Sequence, residues 1–143
     1  MSLALIPLCT VTTTPELAAD LNTTPSGHRL MVTIRESIWD GERLRARVKE
    51  GTAAGDWMIV APDGTAFIDI RLTLETHDGA LIYVEYQGRR DMSLVEQGID
   101  APVYITPRFE TSDTRYAWLN KIQAVGKGTV VGDSRVYEVY ELR

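Results

Sequence analysis

The sequence predicts an all-β chain built from antiparallel strands. Three observations carry this. About nine runs of β-branched and apolar residues follow one another, most are joined by short Gly, Pro or Asp turns, and helical periodicity is scarce. With no crossover helices, a parallel βαβ arrangement is excluded, which leaves an up-and-down barrel or a sandwich.

The strands are read in order. The N-terminal stretch Met1 to Cys9 with the Thr-rich run after it forms the first, and Pro15 to Leu21 follows as a short helix candidate with Pro in its first turn. Arg29 to Trp39 is a long strand, closed by the hairpin pair Asp40-Gly41, and Leu44 to Val48 resumes the alternation. Asp56 to Val60 is short. Pro62-Asp63-Gly64 makes a turn in which Pro presets φ and Gly accepts a positive one. Ala66 to Thr76 is the cleanest strand, Asp78-Gly79 turns the chain, and Leu81 to Gln87 returns. A helical turn around Ser93 to Gln97 is stopped by Gly98. Val103 to Thr111, Trp118 to Val125 and Arg135 to Leu142 complete the set, with Gly126-Lys127-Gly128 and Gly132-Asp133 as breakers.

Length and charge bound the function. At 143 residues the chain is expected to be one domain, residues 1–143. Fifteen basic residues against 20 acidic ones give a net charge of −5, which argues against a broad nucleic-acid or anionic-membrane surface. No stretch reaches the ~20 apolar residues of a membrane helix. The N-terminus lacks a basic segment and Pro7 interrupts it, so it reads as a strand of a cytoplasmic protein rather than a signal peptide. One cysteine, Cys9, excludes an intrachain disulfide and reads as a buried small hydrophobe.

Alternation defines candidate site residues. Asp69 and Arg71 share one face of their strand with Phe67, Thr73 and Glu75, opposite Ala66, Ile68, Ile70, Leu72 and Leu74. That polar face is either a solvated exterior or the lining of a lumen. Arg108 and Glu110 alternate with Phe109, and Tyr83 with Val84. An apolar face turned outward on several strands would argue for a homodimer or larger homo-oligomer.

Several motifs recur in a definite order: Trp39-Asp40-Gly41-x-Arg43-Leu44-Arg45, Gly55-Asp56-Trp57 with Pro62-Asp63-Gly64, and Asp69-x-Arg71. Then come Thr76-x-Asp78-Gly79-Ala80-x-Ile82-Tyr83 and Pro107-Arg108-Phe109-Glu110-Thr111-x-Asp113-x-Arg115-Tyr116-x-Trp118-Leu119-Asn120. On these the chain resembles domain-of-unknown-function family 3237, small bacterial and fungal proteins, over residues 3 to 142. The resemblance implies a single antiparallel barrel of about eight to ten strands, like calycin or allene-oxide-cyclase barrels, and implies no settled activity. The stretch Met92 to Pro102 is abbreviated relative to the family pattern.

The residue chemistry narrows the options further. His28 and His77 have no metal-ligand spacing, and no hydrolase elbow, phosphate loop or dinucleotide fingerprint occurs, so no metal or cofactor is expected. What remains is proton transfer by carboxylates, tyrosines and arginines. The leading expectation is a cofactor-independent lyase or isomerase acting on a small, partly apolar carbonyl or phenolic metabolite. Asp69 or Glu110 would be the base and Tyr83 or Tyr116 the acid, with Arg71 or Arg108 anchoring an anion and Trp57, Trp118 and Asn120 binding substrate. A non-catalytic ligand-binding barrel and a side-chain-filled oligomeric barrel are the alternatives. Each of these residues also has a purely structural reading, as a cross-strand ion pair, a corner cap or core.

Overall fold

A computed structural model describes residues Met1–Arg143. Ten strands form one antiparallel sheet that closes on itself. They are β1 (Leu5–Thr24), β2 (Gly27–Asp40), β3 (Arg45–Val48), β4 (Gly55–Val60), β5 (Thr65–Thr76), β6 (Leu81–Asp91), β7 (Val103–Ile105), β8 (Arg108–Glu110), β9 (Ala124–Val131) and β10 (Ser134–Leu142). A short helix, α1 (Met92–Glu96), follows β6, and a 3₁₀ segment covers Thr114–Lys121.

Closure runs through β1, β2, β5, β6, β9 and β10, with two interrupted staves between them. Strands β3 and β4 both bridge β2 to β5, while β7 and β8 both pair with β6 and β7 continues to β9. Counting each interrupted stave once, the ring has eight positions, a size whose interior side chains can fill or which can hold one small ligand.

Burial settles which face is inside. On β5 the buried residues are Ala66, Ile68, Ile70, Leu72 and Leu74, and their neighbours face out. The register Ile70↔Tyr86 and Leu72↔Val84 carries the same assignment to β6. The apolar face of the cleanest strand therefore points inward, so β5 supplies no argument for oligomerisation.

One end of the barrel is filled. Trp39 packs edge-on against Phe109 at 5.7 Å and tilted against Tyr86 at 6.3 Å, among Leu44, Leu72, Leu74 and Val139. The 3₁₀ segment plugs this end with Leu119 and Tyr116. Such a fill follows from size, because aromatic rings carry the most apolar area per residue.

Two sequence-based expectations are corrected. Pro15 to Leu21 is strand, not helix. The β1–β2 register passes from Thr14↔Glu36 to Pro15↔Ile34, leaving Arg35 as a bulge, and two more irregularities follow toward the hairpin tip. A proline is tolerated in a strand at such a bulge, where no ladder donor is required of it. Trp118 to Val125 begins as the 3₁₀ plug, capped by Asp113 accepting from the Arg115 amide at 2.9 Å, and becomes strand only at Ala124. The glycine breakers Gly126 and Gly128 lie within β9. The helical turn before Gly98 is present as α1, capped by Asp91 accepting from the amides of Ser93 and Leu94. No helix is long and apolar enough to cross a membrane.

Trp39 and Trp57 should respond differently to truncation. Trp39 is wholly buried and Trp57 is 38% exposed. Trp39→Ala should cost about 3–5 kcal/mol and Trp57→Ala about 1 kcal/mol or less, measured by urea denaturation. Equal losses would contradict the filled-end description.

Candidate active site

The sequence-predicted site residues lie outside the lumen, and this corrects the expectation that they line it. Asp69 and Arg71 sit on the outward face of β5, 3.8 Å apart, and the Arg71 guanidinium lies 5.6 Å from the exposed Trp57 ring. Arg108 donates to Glu85 at 2.8 Å on the outside of β6 and β8, while Tyr83 donates to Glu85 at 3.1 Å and Glu110 is exposed. Arg108–Glu85 is a cross-strand surface pair and the other two join residues two apart on one strand, each worth about 1 kcal/mol or less.

The Arg115 to Asn120 group sits at the plugged end and has structural partners. Tyr116 is buried, but its hydroxyl donates to Asp78 at 2.8 Å, and Asp78 also accepts from Thr76 at 2.6 Å. Those two bonds, Thr76 first, hold the Asp78 carboxyl below its usual range. Asn120 exchanges two bonds with the Thr111 backbone. Trp118 lies under the Arg43 guanidinium at 4.9 Å, and Arg43 in turn binds the buried Glu141 at 2.8 Å. Asp69, Glu110 and Tyr116 are thus not brought together.

The lumen opens at the other end, where β1, β2, β4, β5, β6, β7 and β10 surround a cavity of about 350 Å³. Ten of its 15 lining residues are hydrophobic, and the polar remainder includes Thr13, Asp56, Arg90 and Arg135. Tyr137 also lines it. A few converging polar groups in an apolar hollow are the usual signature of a small-molecule site. A larger depression of about 720 Å³ on the outer surface, by Tyr104, Lys127 and Tyr140, contains no buried ionisable group.

Asp56 is the unusual member. It is buried, 7% exposed, and one carboxylate oxygen accepts from the Asp69 amide at 2.9 Å. The β4–β5 ladder lapses here. Pairing stops after Asp56↔Ile70 and resumes at Ile59↔Phe67, and the Trp57 carbonyl accepts from Arg29 instead, at 2.7 Å. The sheet gives up regular pairing where it holds a carboxylate. The second oxygen, Oδ2, makes no hydrogen bond within the chain. Burial pushes the Asp56 pKa up to about 6, and nearby Asp69 adds to the rise against the opposing amide bond.

Two tyrosines stand near it. Tyr137 points inward from β10, and burial pushes its pKa up to about 12; Arg135 and Arg90 oppose that rise, and Asp56 adds to it. Its ring fits because Gly128 lies beside it on β9, where a Cβ would fall 2.3 Å from Tyr137 Cδ1. Tyr86 lies deeper, against Trp39, and its fully buried hydroxyl has no hydrogen-bond partner. Burial holds its pKa well above the usual value, with Tyr137 and Asp56 adding to that and the neighbouring Thr13 hydroxyl opposing it. Thr13 instead makes its close bond to Ser37 Oγ at 3.0 Å, and Ser37 accepts from Trp39 Nε1 at 2.9 Å. An orphaned buried hydroxyl is rare enough to require a reason.

No group of three His, Cys, Asp or Glu side chains is arranged to hold a metal ion. His28 pairs with Asp20 at 2.7 Å near the β1–β2 hairpin tip. Cys9 is buried, its thiol pushed up to about 12 chiefly by that burial, as an unreactive core residue should be.

Fold and cavity together define a small closed antiparallel β-barrel with one plugged end and one open, acid-bearing end. The chain belongs to the family of proteins of unknown function DUF3237, which it matches over residues 3–142. It is similar to the beta-barrel-like protein ABAYE2633 of Acinetobacter baumannii AYE, at 34% identity and a TM-score of 0.84, covering 100% of this chain and 98% of that one. It is also similar to the UPF0311 protein RPA1785 of Rhodopseudomonas palustris, whose structure matches with a TM-score of 0.88 at 25% identity over 100% of this chain and 99% of that one. An enzyme from Penicillium herquei shares the fold, with a TM-score of 0.75 at 20% identity over 99% and 94% of the two chains.

The sequence signal for this site was parity. Tyr86 and Arg90 continue the Ile82–Val84 face of β6, and Arg135 and Tyr137 continue the Val139 face of β10. Asp56, by contrast, reads as a turn residue before Trp57, and only the fold reveals it as buried.

Asp56 should make stability depend on pH. Its pKa is about 6 when folded against 3.8 when free. Between these values the folded chain retains a proton that the unfolded chain loses. The contribution of Asp56 to stability therefore falls as pH rises from about 4 to 6, by up to about 3 kcal/mol at 1.36 kcal/mol per unit. Asp56→Asn keeps an acceptor for the Asp69 amide. It should raise stability at pH 8 by about 1–3 kcal/mol and flatten this slope, measured by urea denaturation at pH 4.5 and 8. A variant less stable than the parent at pH 8 would contradict the assignment.

Proposed function

We propose that this protein is a cofactor-independent acid/base catalyst of the lyase or isomerase type. Its substrate is a small, partly apolar carbonyl or phenolic metabolite taken into the open end of the barrel. The observation that carries this reading is Asp56: a buried carboxylate with one oxygen fixed by the Asp69 amide and the other unbonded beside an apolar cavity.

The chemistry follows from that geometry. A carboxylate with a pKa near 6 is ionised at neutral pH yet more basic than one in water, which suits removal of a proton next to a carbonyl. A tyrosine whose pKa is raised stays protonated and donates a hydrogen bond to the oxygen on which negative charge develops. Tyr137 lines the cavity in this role. The apolar walls, Ile34, Ile68 and Ile70 among them, exclude water and strengthen these interactions. That the Penicillium herquei chain is an enzyme shows the fold hosting catalysis there, not here.

Proton exchange tests this. 1-Tetralone and 2-hydroxyacetophenone would be incubated in D₂O with the protein, and loss of their α-proton signals followed by NMR. The parent should accelerate exchange, with a rate rising with pH through about 6 as Asp56 ionises. Asp56→Asn should reduce the acceleration about 10²-fold or more, and Tyr137→Phe by a smaller factor. Binding of both ketones with no exchange above background would favour the non-catalytic carrier.

A further inference from the structure

Two guanidinium groups line the cavity, one without an ion pair and one with only a long contact to an exposed acid. Arg90, at the end of β6, is 12% exposed and donates from Nε to the Ala101 carbonyl at 3.2 Å. Its nearest acid, Asp100, is 3.7 Å away and itself 69% exposed. Arg135, at the start of β10, donates to the Ser134 carbonyl at 3.4 Å and forms no ion pair. The two are near enough for the charge of Arg135 to work against that of Arg90.

The chain carries five more acids than bases, and most of its arginines pair with them, as Arg47 does with Glu36, Arg108 with Glu85 and Arg115 with Asp113, each at 2.8 Å. Arg29 and Arg89 form no ion pair either, but they lie on the Trp57 carbonyl and the Phe67 ring, not in the cavity. Within the cavity Arg135 has no acid partner and Arg90 has only the long contact to exposed Asp100, so an anion entering there would meet two guanidinium groups with donors to spare. The guanidinium fork matches a carboxylate, and such charge-assisted bonds are the strong ones. Deeper in, Leu30, Val32, Met58 and Val103 form an apolar wall. A second anion would be repelled by Asp56, so a charged substrate group has one favourable end of the cavity to occupy.

We infer that the substrate is a small organic carboxylate that enters with its apolar body among the cavity walls and leaves its carboxylate on Arg90 and Arg135. This rests on the proposed function for the placement of the reacting end by Asp56. Recognition of the anion does not require turnover.

Calorimetry with 2-naphthoate and its neutral counterpart 2-naphthamide, at pH 7.5 and low salt, separates the two. The parent should bind the acid about tenfold or more tightly than the amide, and the difference should shrink on adding salt. Arg135→Gln and Arg90→Gln should each bring the two ligands to within about threefold, with circular-dichroism melting to verify that the variants fold. Arg135→Lys should retain part of the preference. Asp56→Asn should bind 2-naphthoate at least as tightly as the parent, although it loses proton exchange, so failure of the catalytic reading and of this one are separable. The inference is overturned if the parent binds the amide as well as the acid, if it binds neither, or if the preference survives in both glutamine variants. The comparison in the parent needs no variant to fold.

Discussion

The inward burial of one strand face governs this molecule. On β5, five alternating apolar residues from Ala66 to Leu74 leave water together. At about 25 cal/mol per Å² of apolar surface, no surface ion pair competes with them. Once that face points inward, antiparallel register passes the decision round the ring. Ile70 opposite Tyr86 and Leu72 opposite Val84 place the β6 side chains, and β9 and β10 follow in turn. Asp69, Arg71, Arg108 and Glu110 are left outside by the same rule.

The interior is divided between two tasks. The end holding Trp39, Phe109 and Leu119 is packed, with Tyr116 and Asp78 pinning the 3₁₀ plug over it. The other end gives up packing and regular pairing. It carries a buried carboxylate at a break in the β4–β5 ladder, an inward-facing tyrosine and two cations. Each of these is unfavourable for folding taken alone, and their concentration in one hollow is the mark of a site whose demands differ from those of a core. The packed end supplies the stability on which the open end draws.

Much of the fold was readable from the residues. Turn chemistry at Pro62-Asp63-Gly64 and Asp78-Gly79 located two hairpins, because Gly64 and Gly79 take positive φ angles that few residue types accept, while Gly41 after Asp40 is needed instead for its close approach to the Leu8 carbonyl. Alternation in Ala66 to Thr76 located the best strand. The failures have physical causes. Pro15 with an alanine pair resembles a helix start, and only long-range pairing of β1 with β2 through a bulge makes it strand. The predicted Asp69, Arg71, Arg108 and Glu110 lie outside the lumen because the conspicuous charges occupy the polar face of each strand. In a small barrel that face is outside, and the informative polar residues are the few that interrupt the apolar one: Arg90 after Ile82, Val84 and Tyr86, and Arg135 before Tyr137 and Val139. Asp56 carried no such signal, since its strand is too short to show a pattern.

The plug imposes a traffic rule. With Leu119 and Trp39 sealing one end, whatever enters between α1 and the β1–β2 hairpin departs by the same doorway. A second reactant cannot arrive from behind the first. A molecule held in such a cul-de-sac meets the outside on one side only, so exchanging one occupant for another requires the first to leave completely.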